Sequence, residues 1–276
     1  DSQGFIWIGT QDGLNRFDGY NFTVYKNDPD DVNSLSLNSI LSLHEDENGA
    51  LWVGTWGGGL NYFDVRSKLW TRYRHAPDDP ASLCGDVVAD LFEDSRGLLW
   101  IATNDGGLCS LERATGAFTR YRHDPENPAS IASNAVSAIY EDDAGALWIG
   151  TGGFGTPGAG LDRLDVATGA FTHFRHDPDD PTSISGDSIA GIVADRSGAL
   201  WVGAGGFSLA GAGLNRLDRA TGEFTRFRHD PNDPTSLASD EVIALHRDKA
   251  GALWIGTWGS GVDRLEEDAA GVRFVH

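Results

Sequence analysis

The sequence contains no methionine, only two cysteines, and no apolar run approaching the roughly 18 residues that a membrane-spanning helix needs. It opens at Asp1, inside a repeat and without a secretory leader, and so reads as a processed product or an excised segment. Cys84 and Cys109 form neither a CxxC pair nor any zinc spacing. Both fall in one repeat, on strands placed two apart, which disfavours a disulfide given the geometry it needs. Cysteine usage therefore does not decide the compartment. Basic residues are scarce: 21 Lys and Arg face 41 Asp and Glu, for a formal net charge of −20. Such a surface repels phosphate backbones and anionic headgroups, which excludes nucleic acid as a partner and argues against docking on lipid. Solubility accounts for the charge itself.

What the chain has in quantity is glycine (36 residues), phenylalanine (13) and tryptophan (9). The glycines have no three-residue period, which excludes collagen. Interior glycine costs a helix about 1 kcal/mol each, which argues against a solenoid of paired helices. Glycine among aromatic and β-branched runs points instead to many short strands and tight turns.

Repetition organises those strands. A Leu/Ile-Trp-hydrophobic-(Gly/Ala)-Thr-like segment recurs around Trp7, Trp52, Trp100, Trp148, Trp201 and Trp254, at intervals of 45, 48, 48, 53 and 53 residues. Six copies fill residues 1–276 and predict one domain, with repeats near 1–37, 38–85, 86–133, 134–186, 187–239 and 240–276. In the fourth repeat the predicted strands are 136–140, 147–151, 160–164 and 171–175. The first has counterparts at 40–44, 88–92, 189–193 and 242–246. Short turns join the strands, and a proline-bearing linker, 177–183, leads to the next unit. Four antiparallel strands per unit of this length predict an all-β fold, a β-propeller of about six blades. The first unit lacks its inner strand, which makes 23 strands; seven blades in the intact protein is the alternative. The middle of the inner strand is small (Ser42, Ala138, Gly191, Ala244, with Asp90 departing), as crowding near an axis requires. The strand-two tryptophans are assigned to the core between blades.

The run Asp1-Ser-Gln-Gly-Phe-Ile-Trp-Ile-Gly-Thr-Gln-Asp-Gly-Leu-Asn-Arg-Phe-Asp-Gly-Tyr20, with Ser236–Val242, Gly251–Thr257 and Gly261–Leu265, resembles the repeats of bacterial two-component regulator propellers. The resemblance covers all six units. It implies a periplasmic or extracellular sensor region of a membrane-anchored receptor, covalently linked to a signalling output domain, commonly a histidine kinase or diguanylate cyclase. Several members are similar to oligosaccharide sensors. The larger receptors of this family carry two propellers, a β-sandwich, a membrane helix and the output domain; only propeller repeats occur in these 276 residues. No segment here inserts directly into a membrane, and a homodimer stays open.

In a propeller, repeated residues meet only if they lie near the axis. His75, His123, His176 and His229 end outer strands, too dispersed to share a metal ion, and read as linker caps. The acidic linkers lack the spaced ligands of a calcium loop. No metal or cofactor is expected. Two positions should converge on one face. The loop between strands two and three supplies Gln11, Asp12, Trp56, Asn104, Asp105, Phe154, Phe207 and Trp258, with the expanded loops Gly152–Ala159 and Gly205–Ala212. The residue ahead of each inner strand is Asn38, Asp86, Asn134, Asp187 or Asp240, a turn acceptor or a ring of polar groups at a channel mouth. Loops that vary on a constant scaffold behave as binding loops. Aromatic platforms beside Asp and Asn suit a small polar ligand, an oligosaccharide among them. A glycan hydrolase or lyase would draw acids from Asp12, Asp86, Asp105 or Asp240, but no unique motif singles out a pair. A ligand-sensing module is therefore preferred to an enzyme, with a protein-interaction scaffold as the alternative.

Overall fold

A computed structural model describes residues 1–206, 210–268 and 271–276. The chain divides into two compact units, Asp1–Arg122 and His123–His276. The first unit holds three antiparallel sheets. Sheet 1 is β1 (Ile6–Thr10), β2 (Gly13–Phe17) and β3 (Phe22–Tyr25). Sheet 2 is β4 (Ile40–Glu45), β5 (Leu51–Thr55), β6 (Leu60–Asp64) and β7 (Leu69–Tyr73). Sheet 3 is β8 (Val88–Glu93), β9 (Leu99–Thr103), β10 (Gly107–Glu112) and β11 (Ala117–Tyr121). The second unit holds three more. Sheet 4 is β12 (Val136–Glu141), β13 (Leu147–Thr151), β14 (Leu161–Asp165) and β15 (Ala170–Phe174). Sheet 5 is β16 (Ile189–Ala194), β17 (Leu200–Ala204), β18 (Gly213–Leu217) and β19 (Phe224–Phe227). Sheet 6 is β20 (Val242–Arg247), β21 (Leu253–Thr257), β22 (Gly261–Asp268) and β23 (Gly271–Val275). In every sheet the strands pair in chain order. The fold is all-β, a β-propeller of six blade sheets, with 23 strands and no helix among the described residues.

Within each unit the inner strands pack on one another, β4 on β8 and β12 on β16 on β20. Each inner strand carries a bulge near its start, between Ile40 and Ser42, Val88 and Asp90, Val136 and Ala138, Ile189 and Gly191, and Val242 and Ala244. Such bulges increase local twist. The second strand is the most buried element: all five residues of β5, β9, β13 and β17 are inaccessible. Its recurrent glycine has a steric cause. A Cβ on Gly54, Gly150 or Gly203 would lie 2.6–2.7 Å from a methyl of Val88, Ile189 or Val242, the residue that opens the following inner strand.

A second repeated device anchors the tryptophan. In each sheet an Asp stands six residues before the strand-two Trp. Asp94 is typical: its Oδ1 accepts the N–H groups of Arg96 (2.9 Å) and Leu98 (3.0 Å), and its Oδ2 accepts the indole N–H of Trp100 (2.8 Å). Asp1, Asp142, Asp195 and Asp248 hold Trp7, Trp148, Trp201 and Trp254 at 2.7–2.9 Å. The expected burial of these rings holds for Trp52, Trp100, Trp148 and Trp201. Trp7 is half-buried against Tyr25 and Phe63. Trp254 departs from the expectation: it is 37% exposed.

The cysteines also depart from the sequence reading. Cys84 and Cys109 are disulfide-bonded, with Cα atoms 6.0 Å apart, and both are fully buried. Cys84 lies in the linker ahead of β8 rather than on a strand, and that linker folds back onto β10. The same contact recurs in other sheets as a hydrogen bond. Asn61 Oδ1 accepts Ser36 N–H, Asp162 Oδ2 accepts Ala132 N–H, Asn215 Oδ1 accepts Ser185 N–H and Asp263 Oδ2 accepts Ala238 N–H, all at 2.7–2.9 Å. Where the buried residue is Asn, its amide also donates to the linker Ser; where it is Asp, the linker residue is Ala and a His (His173 or His276) faces the carboxylate at 2.6–2.8 Å. Opposite neutral Asn61, Cys109 and Asn215 stand Arg72, Arg120 and Arg226, which donate to the hydroxyls of Ser34, Ser82 and Ser183, two residues earlier in the linkers. Each buried Asp thus has a His hydrogen-bonded to its carboxyl, whereas opposite each neutral residue the Arg turns to the linker instead.

Candidate functional site

The loops after the second strands are fixed by backbone rather than by side chains. Their first residue donates its N–H to its own inner-strand entry: Trp56 to Ser39, Asn104 to Val87, Gly152 to Ala135, Gly205 to Ser188 and Trp258 to Glu241, all at 2.8–2.9 Å. The glycine at or next to the start of strand three donates to the following sheet: Gly13 to Asn38, Gly59 to Asp86, Gly160 to Asp187 and Gly213 to Asp240, all at 2.8–2.9 Å. These glycines have φ between 74° and 117°. A Cβ on any of the four would lie 2.2–2.6 Å from a carbonyl oxygen of the outer strand. At the strand end, the hydroxyls of Thr10, Thr55, Thr103, Thr151 and Thr257 close the loop onto a glycine carbonyl at 2.7–3.0 Å.

These bonds align the candidate residues within each unit. In the first unit they run from Gln11 and Asp12, past Asn38, to Trp56, and on to Asp86, Asn104 and Asp105. Trp56 forms a β-bridge with Val87, while Asp105 spans the N–H groups of Asp86 (3.2 Å) and Val87 (3.3 Å) with its two oxygens. Asp12 is exposed and pairs with Lys26 Nζ at 2.6 Å. In the second unit the order is Asn134, the loop carrying Phe154, Asp187, Gly205, Asp240 and Trp258. Phe154 has φ 51°, a left-handed conformation uncommon outside glycine, in a turn where Thr156 N–H reaches Gly153 O (2.9 Å). Elsewhere in the same unit an open groove of about 780 Å³ is lined by His123, Asn127, Ala159, His173, Arg175 and Asp187, among others. Phe207 lies outside the described residues.

The two candidate sets separate by what their side chains do. Asn38, Asp86, Asn134, Asp187 and Asp240 each accept, on Oδ1, a backbone N–H two residues past the preceding outer strand: Asn27, His75, His123, His176 and His229, at 2.7–2.9 Å. They are staples between linker ends. The four histidines complete the staple through Nδ1, on carbonyls of Leu83, Ile131, Ile184 and Leu237 at 2.6–2.9 Å. A carbonyl only accepts, so Nδ1 carries the proton. Trp56 and Trp258, by contrast, present 44% and 51% of their surface to solvent. The signal for the turn lock is the Asp-to-Trp spacing of six, present in every repeat of the sequence. The linker-to-third-strand contact left no signal, since its chemistry changes from sheet to sheet.

Segments 34–57, 82–105, 130–153 and 236–259 match the sequence profile described as two component regulator propeller. The chain thus carries repeats of this family. A 36-residue stretch is 53% identical to a protein named Histidine kinase P4 of Formosa agariphila, covering 13% of this chain and 3% of that one. Among solved structures, the extracellular domain described as a hybrid two component system of B. thetaiotaomicron superposes with a TM-score of 0.70 at 24% identity, covering 96% of this chain and 38% of that one. Catalytically inactive virginiamycin B lyase from Staphylococcus aureus, with quinupristin, superposes at 0.68 and 16% identity, covering 99% and 81%. The chain spans well under half the length of the kinase and of the extracellular domain.

Proposed function

We propose that this chain is an extracytoplasmic ligand-sensing segment of a bacterial signal-transduction receptor, joined covalently to an output domain, and that it takes a small polar ligand on the loops that follow its second strands. An oligosaccharide is the ligand class best suited to them. The observation that carries the reading is the exposure of Trp56 and Trp258 on anchored loops, the first held by backbone hydrogen bonds at both ends and the second by the Trp258 N–H and the Thr257 hydroxyl. A large aromatic face held rigidly toward solvent gives contact area at little entropic cost. Asn104 beside Trp56 in the first unit supplies a polar neighbour. The similarity to an extracellular domain of a two component system supports the receptor context.

A binder is favoured over an enzyme by the state of the carboxylates. Asp86 and Asp240 each commit an oxygen to a backbone N–H, Asp105 spans two, and Asp12 is paired with Lys26. Acid–base catalysis on a glycan needs two carboxylates aimed at one bond. The test is a thermal-shift screen of oligosaccharides, since a ligand favouring the folded state raises Tm. A ligand should raise Tm of the wild type and not of Trp56→Ala or Trp258→Ala. A ligand whose effect survives both substitutions would move the site elsewhere.

A further inference from the structure

Five of the six turn aspartates hold the indole N–H of their tryptophan; sheet 2 is the exception. There Asp46 Oδ2 accepts Arg113 Nη1 at 3.1 Å, and Trp52 Nε1, on a ring only 3% exposed, has no hydrogen-bond partner among the described residues. The arginine is not by itself the cause. At the equivalent place between sheets 4 and 5, Asp142 Oδ2 accepts both Trp148 Nε1 (2.9 Å) and Arg219 Nη1 (2.9 Å). The third strand also differs from sheet to sheet, and sheet 3 has Ser110 opposite its tryptophan. Sheets 1, 4, 5 and 6 place Arg16, Arg163, Arg216 and Arg264 opposite the tryptophan. The first three of these guanidinium groups lie 5.5–5.9 Å from the indole centroid. Sheet 2 has Tyr62 there, its ring 4.8 Å from that of Trp52, with Tyr73 at 5.9 Å.

The three rings, with Asp46, Asn48 and Arg113, line a cavity of about 260 Å³ inside the first unit. The charged side chains on its lining are one of each sign, Asp46 and Arg113, in contact at 3.1 Å. A cavity without net charge favours a neutral ligand. Its volume falls just below the roughly 300 Å³ at which pockets for drug-sized molecules begin, which points to a single ring. Aromatic walls favour C–H faces, and a buried donor without a partner, costly to leave so, calls for an acceptor oxygen. We propose that this cavity is a separate subsite for one neutral polyhydroxylated ring, a monosaccharide or cyclitol, with a hydroxyl oxygen accepting the Trp52 Nε1 proton and the ring face resting on Tyr62 and Tyr73. Trp52 and Trp56 are four residues apart on and just beyond β5, about 13 Å along the strand. The subsite is therefore distinct from the loop face and does not rest on the reading given for it.

The experiment labels the tryptophan indoles with ¹⁵N, assigns the Trp52 resonance with Trp52→Phe, and titrates the chain separately with glucose, galactose, mannose and myo-inositol. The expected result is a saturable shift of the Trp52 Nε1–H resonance with at least one of the four, with Kd on the order of 1 mM for a ligand of about a dozen heavy atoms. The Trp148 resonance should stay still. Tyr62→Arg installs the residue of sheets 1, 4, 5 and 6 and should weaken binding about tenfold or more with Tm unchanged. Trp52→Phe keeps the wall, deletes the donor, and should weaken binding measured calorimetrically even if Tyr62→Arg misfolds. Trp56→Ala should leave the Trp52 shift intact. A Trp52 resonance unmoved by all four compounds, or an affinity unchanged by Tyr62→Arg or by Trp52→Phe, overturns the proposal.

Discussion

The two ends of β5 put tryptophan to opposite uses. At the turn end Trp52 is buried between sheets 2 and 3, packed on Leu91, Leu99 and Phe118. Just past the loop end Trp56 stands 44% exposed. The turn end repeats through the chain, with an aspartate six residues ahead of a tryptophan in every sheet. The loop end does not: its first residues are Gln11, Trp56, Asn104, Gly152, Gly205 and Trp258. Constancy at one end and variety at the other separate what builds a blade from what distinguishes one blade's surface from the next.

The largest effect expected from this contrast is on stability. Trp148→Ala, at a turn end, should cost about 3–5 kcal/mol in a denaturant titration, because it leaves an aromatic cavity and removes the indole N–H from Asp142. Trp56→Ala, at a loop end, should cost no more than about 0.5 kcal/mol, as surface changes usually do. Equal losses would erase the distinction.

Next in size is the disulfide. Replacing Cys84 and Cys109 together by serine should cost about 3 kcal/mol, the loop entropy released across 25 residues of separation. The pair Cys84→Ser with Cys109→Asn copies the hydrogen bonds of Ser36–Asn61 and Ser185–Asn215, and should recover about 1 kcal/mol of that loss. Melting curves of the two double variants provide the comparison. No recovery would mean that sheet 3 needs the covalent link and that the shared position is only superficially alike.

The sheet scaffold was legible in the sequence because strand order in a blade is local. The prediction of 147–151 for the second strand matches β13, and 136–140 misses the end of β12 by one residue. Side-chain roles were less legible. The Asx residues ahead of the inner strands look alike whether they face a channel or a backbone N–H, and only coordinates show the Oδ1 contacts just past the outer strands. The Cys84–Cys109 bond was not legible because Cys84 lies in a linker that folds back onto β10, which the spacing of 25 residues does not express. The exposure of Trp254 was not legible either, since its segment, Leu253–Thr257, repeats the pattern of the buried second strands.

The smallest effect is the pH dependence that separates the turn aspartates from Asp162 on the third strand. For Asp142, burial opposes ionisation, but the Trp148 indole, the Ala146 N–H and Arg219 outweigh it and hold the carboxyl below its ordinary range. A folded pKa below the unfolded value, near 3.9, makes its contribution whole above that value and lost as pH falls through the folded pKa. For Asp162 burial dominates and pushes the carboxyl up, only partly offset by the Ala132 N–H and His173. Its contribution is whole below the unfolded pKa and lost as pH rises through the folded one. Asp142→Asn and Asp162→Asn should therefore diverge in denaturant titrations run on either side of pH ~4. Relative to wild type, the first variant should lose ground as pH rises and the second should gain it. Slopes of the same sign would mean that His173 holds the Asp162 carboxylate as firmly as the turn holds Asp142, and that the Asp–His pairs of sheets 4 and 6 are no less settled than the Asn–Ser pairs they replace.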